Sequence, residues 1–244
     1  MGRAYLSAGT LTAPLPAVMV TVGDMERANI ITVAWTGILS THPARAYISV
    51  RPTRHSHKML TESGEFVINL TTEKLAYATD FSGIYTGSKL DKFEKLGLTK
   101  IKSKNVAPPT VAEAPLSLEC RVCEVLAMGT HDVFIADILG VSVDDALLDE
   151  KGKIHLERAG LMAYAHGEYY ALGKVIGKFG MSAVKKKNPK PKERSVNTDL
   201  KTANVKKENG TSEKKNIASK PAVEKTDEPF YIGALKYKRR KGRK

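Results

Sequence analysis

The stretch that decides the fold is "LPAVMVTVGDMERANIITVAW", residues 15–35. Two runs rich in valine and isoleucine lie on either side of "GDMER", and a glycine followed by charged residues is typical of a turn. Apolar runs of this length, bounded by turn residues and rich in β-branched side chains, indicate buried strands. The sequence therefore predicts a β-hairpin near the start of the chain.

Further short β-branched runs follow this hairpin, at residues 45–50, 65–70, 116–128 and 132–143. Helical periodicity is confined to three short segments, 54–63, 73–81 and 91–96, and a glycine follows the first and the last of them, as is common at a helix C-terminus. Many short strands with few helices favour a barrel or sandwich over a doubly wound sheet. The predicted fold class is mainly β.

The formal charge of +13 is concentrated at one end of the chain. Residues 185–244 contain 20 of the 39 Lys and Arg residues and 7 of the 26 Asp and Glu residues, so residues 1–184 hold 19 of each sign. Between residues 185 and 228 there are almost no large apolar side chains to bury, and such lysine-rich sequence is typical of disorder. We predict a folded domain at residues 1–183 and a basic, largely disordered extension at 184–244.

The cysteine content and the hydropathy favour a soluble protein of the cytoplasm. Cys120 and Cys123 are too few for a disulfide framework, the N-terminus has no apolar run typical of a signal peptide, and no segment is apolar enough to span a membrane. The two cysteines have the spacing of a redox dithiol, but they lie in a predicted strand, where residues three apart point to opposite faces. We therefore interpret them as ordinary half-buried cysteines.

A basic corner follows the third predicted strand, in "SVRPTRHSHKML", residues 49–60. Pro52 ends the strand, and we expect Thr53 to cap the helix that follows. Unpaired amide groups and the positive end of a helix dipole suit an anion, and Arg51, Arg54, His55 and Ser56 surround this helix start. A phosphate cradle and a solvated basic helix start both explain the pattern. No metal is predicted, because His55 and His57 have no Cys or acidic residue in the same corner.

Two other stretches carry polar groups among apolar or flexible sequence. Asn29, Thr32 and Trp35 interrupt the second strand, where they either bond to neighbouring backbone or form the wall of a ligand site. The stretch "TDFSGIYTGSKLDKF", residues 79–93, is predicted to be a loop, either a plain surface loop or one whose glycine amides, hydroxyls and lysines hold an anion.

The last part of the body, "YYALGKVIGKFGMS" at residues 169–182, combines tyrosines with glycines and is predicted to be a strand end or a lid over a flat ligand. The histidines outside the basic corner are scattered along the chain, and we expect His131, His155 and His166 to be structural.

Taken in order, these stretches resemble the flavin reductase-like family of FMN-binding split barrels, including its flavoredoxin branch. The resemblance covers about residues 8–182 and ends at the lysine-rich extension. It implies an FMN-binding split β-barrel with a few short helices, FMN as cofactor, and a homodimer with the flavin near the subunit interface. The implied function is a flavoprotein oxidoreductase, either an NAD(P)H-dependent flavin reductase or a flavoredoxin-type electron carrier whose donor is another redox protein.

The resemblance also implies the residues that contact the cofactor. They lie in four groups: the ring-side stretch Asn29, Thr32, Ala34 and Trp35; the strand end Ser49, Val50 and Arg51; the helix start His55 and Ser56; and the second phosphate-side loop Ser82, Gly83, Gly87, Ser88 and Lys92. Ser82 stands where some relatives have Cys, so a thiol role is absent here. No catalytic side chain is implied, since the flavin carries the chemistry.

A function of another class is left open by the basic extension. Residues 184–244 would give weak contact with nucleic acid or an acidic partner, or they would only keep the protein in solution.

Overall fold

A computed structural model describes residues 2–183 of the chain. Of these, residues 2–175 belong to one compact unit, while residues 176–183 belong to another and contain a 3-10 turn at Met181–Ala183. The predicted disordered extension, and with it the domain boundary after residue 183, lies outside the described residues and stays a prediction.

The body is mainly β, as predicted. Its three helices are α1 (His55–Ser63), α2 (Ala76–Ile84) and α3 (Lys92–Leu96). Its strands are β1 (Val18–Val22), β2 (Asn29–Val33), β3 (Thr36–Thr41), β4 (Ala44–Val50), β5 (Glu65–Asn69), β6 (Lys100–Ile101), β7 (Thr110–Val111), β8 (Leu116–Ala127), β9 (Asp132–Val143), β10 (Met162–Ala165) and β11 (Glu168–Ala171).

Seven strands form one antiparallel sheet in the order β2-β1-β5-β8-β9-β4-β3. The sheet curls around a core that takes side chains from six of its strands and from Leu60 of α1. The amide of Ser49 donates to the carbonyl of Trp35 at 2.9 Å, which brings the end of β2 next to β4 although four strands separate them in the sheet. This closure makes the sheet a barrel.

Strand β1 explains why its sequence is a continuous apolar run. Val18, Val20 and Val22 belong to the core inside the barrel, whereas Met19 belongs to a second core cluster with residues of α2 and α3. A strand covered on both faces needs apolar side chains at successive positions instead of an alternating pattern. The helices that cover the second face also carry part of the site described below.

Strand β3 is a feature that the sequence did not predict. It pairs with β4 through a tight turn at His42 and Pro43, and its register shifts between Ile38 and Ser40. Ile38 and Leu39 are both exposed, so the segment lacks the alternation of buried and exposed residues that identifies a strand.

The helix ends match the sequence except at two points. Gly64 and Gly97 adopt the left-handed conformation after α1 and α3, as predicted. The expected cap at Thr53 is wrong, because Arg54 occupies the cap position and no side chain caps the helix. The predicted helix at 73–81 begins as a 3-10 turn, Glu73–Leu75, and continues as α2 to Ile84, so the first part of the predicted loop at 79–93 is helical.

The cysteines point to opposite faces of β8, as predicted. Cys120 is buried and Cys123 is exposed. Burial, and then the charge of Glu119, raises the pKa of the Cys120 thiol to about 12, so it stays protonated at neutral pH. Within residues 2–183 there is no helix long and apolar enough to cross a membrane and no cluster of three side chains arranged to hold a metal ion.

Candidate functional site

Two cavities meet at the edge of the barrel, where β2, α1 and α2 come together. The smaller has a volume of about 90 Å³ and the larger of about 470 Å³, and Ile31 and Arg54 line both. Most of the residues that line the smaller cavity have polar side chains, whereas the larger cavity is also lined by several aromatic and aliphatic residues. The shape suits a ligand with a compact polar end and a broad flat end.

The start of α1 forms one wall of the smaller cavity. Thr53, Arg54, His55 and Ser56 line it, and no side chain caps the amide groups of the first turn. Such a helix start favours an anion. Ser56 is buried, and its hydroxyl accepts a hydrogen bond at 2.7 Å from the side-chain amide of Asn29 on β2. This bond ties the strand to the helix at the floor of the cavity.

A buried lysine forms another part of the wall. Lys92 is 3% exposed, and its ammonium group donates to the carbonyls of Ile30 at 2.6 Å and Ser82 at 2.8 Å. An ammonium group has three donors, so one remains for a ligand. Burial, and then the charge of Arg54, lowers the pKa of Lys92 to about 8. An anion in the cavity would reverse this shift, because it stabilises the protonated form.

An unpaired hydroxyl and a glycine complete the smaller cavity. Ser82 is 1% exposed and lines the cavity, and its hydroxyl has no hydrogen-bond partner among the described residues. Gly87 lies so close to Asn29 that an added Cβ would stand 2.0 Å from its Oδ1. Buried polar atoms are nearly always paired in proteins, so this hydroxyl in a tight cavity is available to a ligand atom.

The larger cavity lies beside the end of β2. Its walls include Ala34, Trp35 and the strand end Ser49, Val50 and Arg51. The ring of His131 packs against the Trp35 ring at 4.6 Å between centroids and 43° between planes. Burial, and then the charge of Arg51, lowers the pKa of His131, so its neutral form is favoured.

Helix α2 closes the larger cavity from the side. Thr32 and Gly83 both line it, and the Thr32 hydroxyl donates to the carbonyl of Thr79, which fixes the helix to β2. An added Cβ at Gly83 would lie 3.3 Å from the Cβ of Thr32, so a larger residue would push the helix away from the strand. The close approach of α2 to β2 therefore depends on this glycine.

Tyrosines of the β10-β11 hairpin line the far side of the same cavity. Tyr164 and Tyr169 pack together at 5.5 Å between ring centroids, and the Tyr169 hydroxyl donates to Asp80 at 3.2 Å. Burial, and then the negative charge of Asp80, raises the pKa of Tyr169 to about 12, so it remains a neutral donor. The strand-end interpretation of the segment 169–182 is correct for residues 169–171, which form the end of β11.

All but one of the residues predicted to contact the cofactor lie on these cavities. Asn29, His55, Ser56, Ser82, Gly87 and Lys92 line the smaller one, and Thr32, Ala34, Trp35, Ser49, Val50, Arg51 and Gly83 line the larger one. The exception is Ser88, whose hydroxyl lies 3.1 Å from that of Thr86 and which lines neither cavity.

The predicted loop at 79–93 requires one correction. Ser82 and Gly83 lie on α2, because residues 78, 79, 81 and 82 are buried against the body and draw the segment into a helix. Gly87 lies in the remaining loop and lines the smaller cavity. Lys92 lines the same cavity from the first position of α3. The residues of this stretch that could hold an anion therefore come from α2 as well as from the loop after it.

Some cavity residues were missing from the predicted set. They are Ile31, Thr53, Arg54, Tyr85 and Thr86 around the smaller cavity, and Ala17, Val33, Asp80, Ile84, His131, Tyr164, Gly167 and Tyr169 around the larger one. Arg54 already stood in the basic corner of the sequence, so its charge was a usable signal. His131 was expected to be structural, but it lies on the cavity because β9 pairs with β4 beside Val50.

The charges around the two cavities favour an anionic ligand. Arg51, Arg54 and Lys92 supply positive charge, and Asp80, the one acidic residue that residues 2–183 contribute to either wall, is hydrogen-bonded to Tyr169. The orphan Ser82 hydroxyl and the uncapped start of α1 add neutral donors at the small end. These groups fit a phosphate joined to a flat ring.

Comparison with known proteins identifies the family and the fold of this chain. The sequence matches the family model "Flavin reductase like domain" over residues 11–173. The structure resembles flavoredoxin of Desulfovibrio vulgaris (Miyazaki F) with a TM-score of 0.70 and 30% identity, over 75% of this chain and 100% of that chain. It resembles the FMN-binding protein from Thermus thermophilus in fold, with a TM-score of 0.59 and 24% identity over 70% of this chain and 96% of that one.

An uncharacterized protein of Archaeoglobus fulgidus is 35% identical over 134 residues, which are 55% of this chain and 76% of that protein. These likenesses confirm the predicted split β-barrel. The family match covers both cavities and well over half of the chain. The chain belongs to the flavin reductase-like domain family.

Proposed function

We propose that this chain is a flavoprotein oxidoreductase that binds FMN in the two joined cavities. The observation that carries the proposal is the small polar cavity, where the buried Ser82 hydroxyl has no partner in the described part of the chain and Lys92 has a spare donor. The names of the relatives, a flavoredoxin and an FMN-binding protein, support the same cofactor.

The residues of the smaller cavity fit a phosphate group. The amides at the start of α1, the Ser82 hydroxyl and the Lys92 ammonium group would each donate to a phosphate oxygen. Gly87 keeps the cavity small by allowing the loop to approach Asn29. Arg54, which lines both cavities, would add positive charge where the phosphate joins the rest of the ligand.

The larger cavity fits a flavin ring. Trp35 and His131 provide an aromatic wall that would exclude water from one side of the ring, and the neutral His131 avoids adding a second charge beside Arg51. A bound flavin supplies the hydride or single-electron chemistry itself. The chain would bind the ring, orient it and leave part of it accessible to an electron donor.

The purified full-length protein tests this proposal directly. We expect a yellow protein that releases FMN when it is denatured, as identified by chromatography against FMN, FAD and riboflavin standards. A colourless protein that also fails to take up added FMN would contradict the proposal.

Two versions of the activity are distinguished by the electron donor. Under anaerobic conditions, bleaching of the bound flavin by NADH or NADPH alone identifies an NAD(P)H-dependent reductase. A flavin that stays oxidised with both nucleotides, and is reduced when a redox protein is added, identifies a flavoredoxin-type carrier.

Replacing Ser82 by alanine should weaken FMN binding about tenfold to a hundredfold, the effect of one lost hydrogen bond to a charged group. The free energy of unfolding should stay constant or rise, because the change removes a buried hydroxyl that has no partner among the described residues. Titration with FMN and urea unfolding measure the two effects. Ser88→Ala is the matched control and should change neither quantity; an equal loss of affinity in both variants would argue against a phosphate at Ser82.

Affinity for FMN should fall as the pH rises above about 8. The pKa of Lys92 in the ligand-free protein is about 8, and only the protonated amine adds positive charge for the phosphate. Between the second pKa of a phosphate monoester, about 6, and pH 8 the affinity should be nearly constant, and above pH 8 the loss should approach about tenfold per pH unit. Riboflavin, which has the same ring without the phosphate, is the control. A parallel loss of riboflavin affinity would show that Lys92 is not responsible.

We also propose that the protein is a homodimer. Large apolar side chains are exposed on β3 and on the β8-β9 hairpin, including Ile38, Leu39, Val125 and Met128, which are 60%, 51%, 50% and 65% exposed. Exposed apolar surface of this kind is typical of protein interfaces. Light scattering of the purified protein gives the mass that tests this proposal.

The distribution of charge favours a separate proposal for residues 184–244. A segment that holds the whole net charge of the chain would give weak, salt-dependent contact with nucleic acid or an acidic partner. Deletion of this segment would remove such binding and leave flavin binding unchanged.

A further inference from the structure

One partly buried polar contact connects the two ends of the candidate site from outside its cavities. The Nε2 atom of His57, in the first turn of α1, lies 2.7 Å from the Oδ2 atom of Asp132, and the two side chains are 16% and 21% exposed. The His57 ring packs against Phe134 of the core, which is 1% exposed, in a T-shaped arrangement with 5.3 Å between ring centroids. His57 is therefore held by the core and directed at one carboxylate.

The His57–Asp132 contact joins α1 to the start of β9. Asp132 is the first residue of β9, opposite Val50 of β4, and it follows directly after His131. His57 itself follows the residues of α1 that line the smaller cavity. The pair thus joins the helix at the phosphate end of the site to the strand that begins beside the ring end.

The turn before Asp132 has few other anchors. Residues 128–131 form the tip of the β8-β9 hairpin, where Met128 is 65% exposed and Gly129 adopts a positive φ of 81°. The backbone amide of Met128 donates to the carbonyl of His131 at 2.8 Å, and the Thr130 hydroxyl lies 2.9 Å from His131 Nδ1. These contacts lie within the turn, and the backbone pairing of β9 with β4 and β8 ends at Asp132, so beyond that residue the direction of the tip relative to Trp35 depends on side-chain contacts.

We propose that His57 is a positioning residue: through Asp132 it fixes the hairpin tip so that His131 stays packed against Trp35. A neutral His57 with its proton on Nε2 is sufficient, because the Asp132 carboxylate accepts that proton in a hydrogen bond. Loss of the donor leaves the carboxylate half-buried without its partner, and the tip then moves to hydrate it. The consequence for flavin affinity rests on the proposed function, whereas the contact itself does not.

The single tryptophan of the chain allows a direct test. In ¹⁵N-labelled full-length protein the indole signal of Trp35 reports the packing of His131. We expect His57→Leu to move this signal in the same direction as His131→Ala, and His57→Gln, which keeps a donor near the Nε2 position, to leave it at the wild-type position. In the His131→Ala background, His57→Leu should not move the Trp35 signal further. If His57 acts on Trp35 only through His131, the effects of the two substitutions are not additive.

Lys58→Met is the matched control, because Lys58 is the next residue of α1 and its side chain is 79% exposed. It should leave the Trp35 signal unmoved. If His57→Leu does not fold, Asp132→Ala removes the acceptor of the same hydrogen bond. It should move the Trp35 signal in the direction predicted for His57→Leu. FMN affinity should fall about fivefold in His57→Leu and recover in His57→Gln.

An indole signal that is unmoved in His57→Leu, or that His57→Leu moves equally with and without His131, overturns the proposal. Wild-type protein that binds no flavin would contradict the proposed function alone, since the signal of Trp35 would still report whether His57 fixes the hairpin tip.

Discussion

Gly87→Ala is expected to abolish tight flavin binding, with the dissociation constant for FMN rising about a hundredfold, the effect of severe overpacking in a closed site. A Cβ at this position would lie 2.0 Å from Oδ1 and 2.4 Å from Cγ of Asn29. Asn29 is 5% exposed and donates to Ser56 at 2.7 Å, so it cannot turn away without losing that bond. Either the loop at Gly87 retreats or the floor of the smaller cavity moves, and in both cases the phosphate loses its fit.

Gly173→Ala is the matched control for this prediction. An added Cβ at Gly173 would have no atom within 4 Å, so that variant should bind FMN as the wild type does. Fluorescence titration with FMN measures both affinities, and thermal unfolding shows whether each variant is folded. Wild-type affinity in a folded Gly87→Ala variant would mean that the smaller cavity does not hold the phosphate.

Lys92→Met is expected to lower the free energy of unfolding by about 2 kcal/mol, the net result of leaving two buried acceptors unpaired, at about 1–3 kcal/mol each, and of no longer burying a charge. The Lys92 ammonium group donates to the carbonyls of Ile30 and Ser82, and methionine has no donor to replace it. Relief from burying a charge offsets part of this loss, because the lowered pKa of Lys92 shows that burial disfavours its protonated form. Urea unfolding at pH 7 measures the difference.

The pH dependence of the free energy of unfolding provides a second test of the role of Lys92. The pKa of Lys92 is about 8 in the folded chain against an ordinary value of 10.5, so between these values the unfolded chain binds more protons. The Lys92 contribution to the free energy of unfolding of the flavin-free protein should therefore rise from pH 8 to pH 10.5. Lys92→Met should lack this rise, and FMN affinity changes in the opposite direction.

Lys95→Met provides the control on the same helix, because Lys95 is exposed and should change stability by less than about 0.5 kcal/mol. Equal destabilisation by the two substitutions would show that the bonds of Lys92 to the two carbonyls are not what stabilises this part of the fold.

Much of the site could be predicted because its residues stand near signals that are local in sequence. Pro52 marks the end of β4, Gly64 marks the end of α1, and the residues between them form the basic corner that lines the smaller cavity. The functional assignment needed the ordered resemblance as well, since the basic corner alone left a solvated helix start equally open.

The sequence by itself determined the buried hairpin β1-β2, the short helices α1 and α3 with their glycine ends, the opposed faces of Cys120 and Cys123, and the separation of a neutral body from a basic extension. Each of these follows from residue spacing or composition within a short window, where side-chain direction repeats with the period of the strand or helix.

The tertiary structure alone decided that β3 forms, that Ser82 and Gly83 lie on a helix, that Lys92 is buried and that His131 reaches the site. These features depend on strands and helices far apart in the chain, such as β4 beside β9 and α2 against β2. Periodicity reports which side of an element is buried, but it does not report which distant element covers that side.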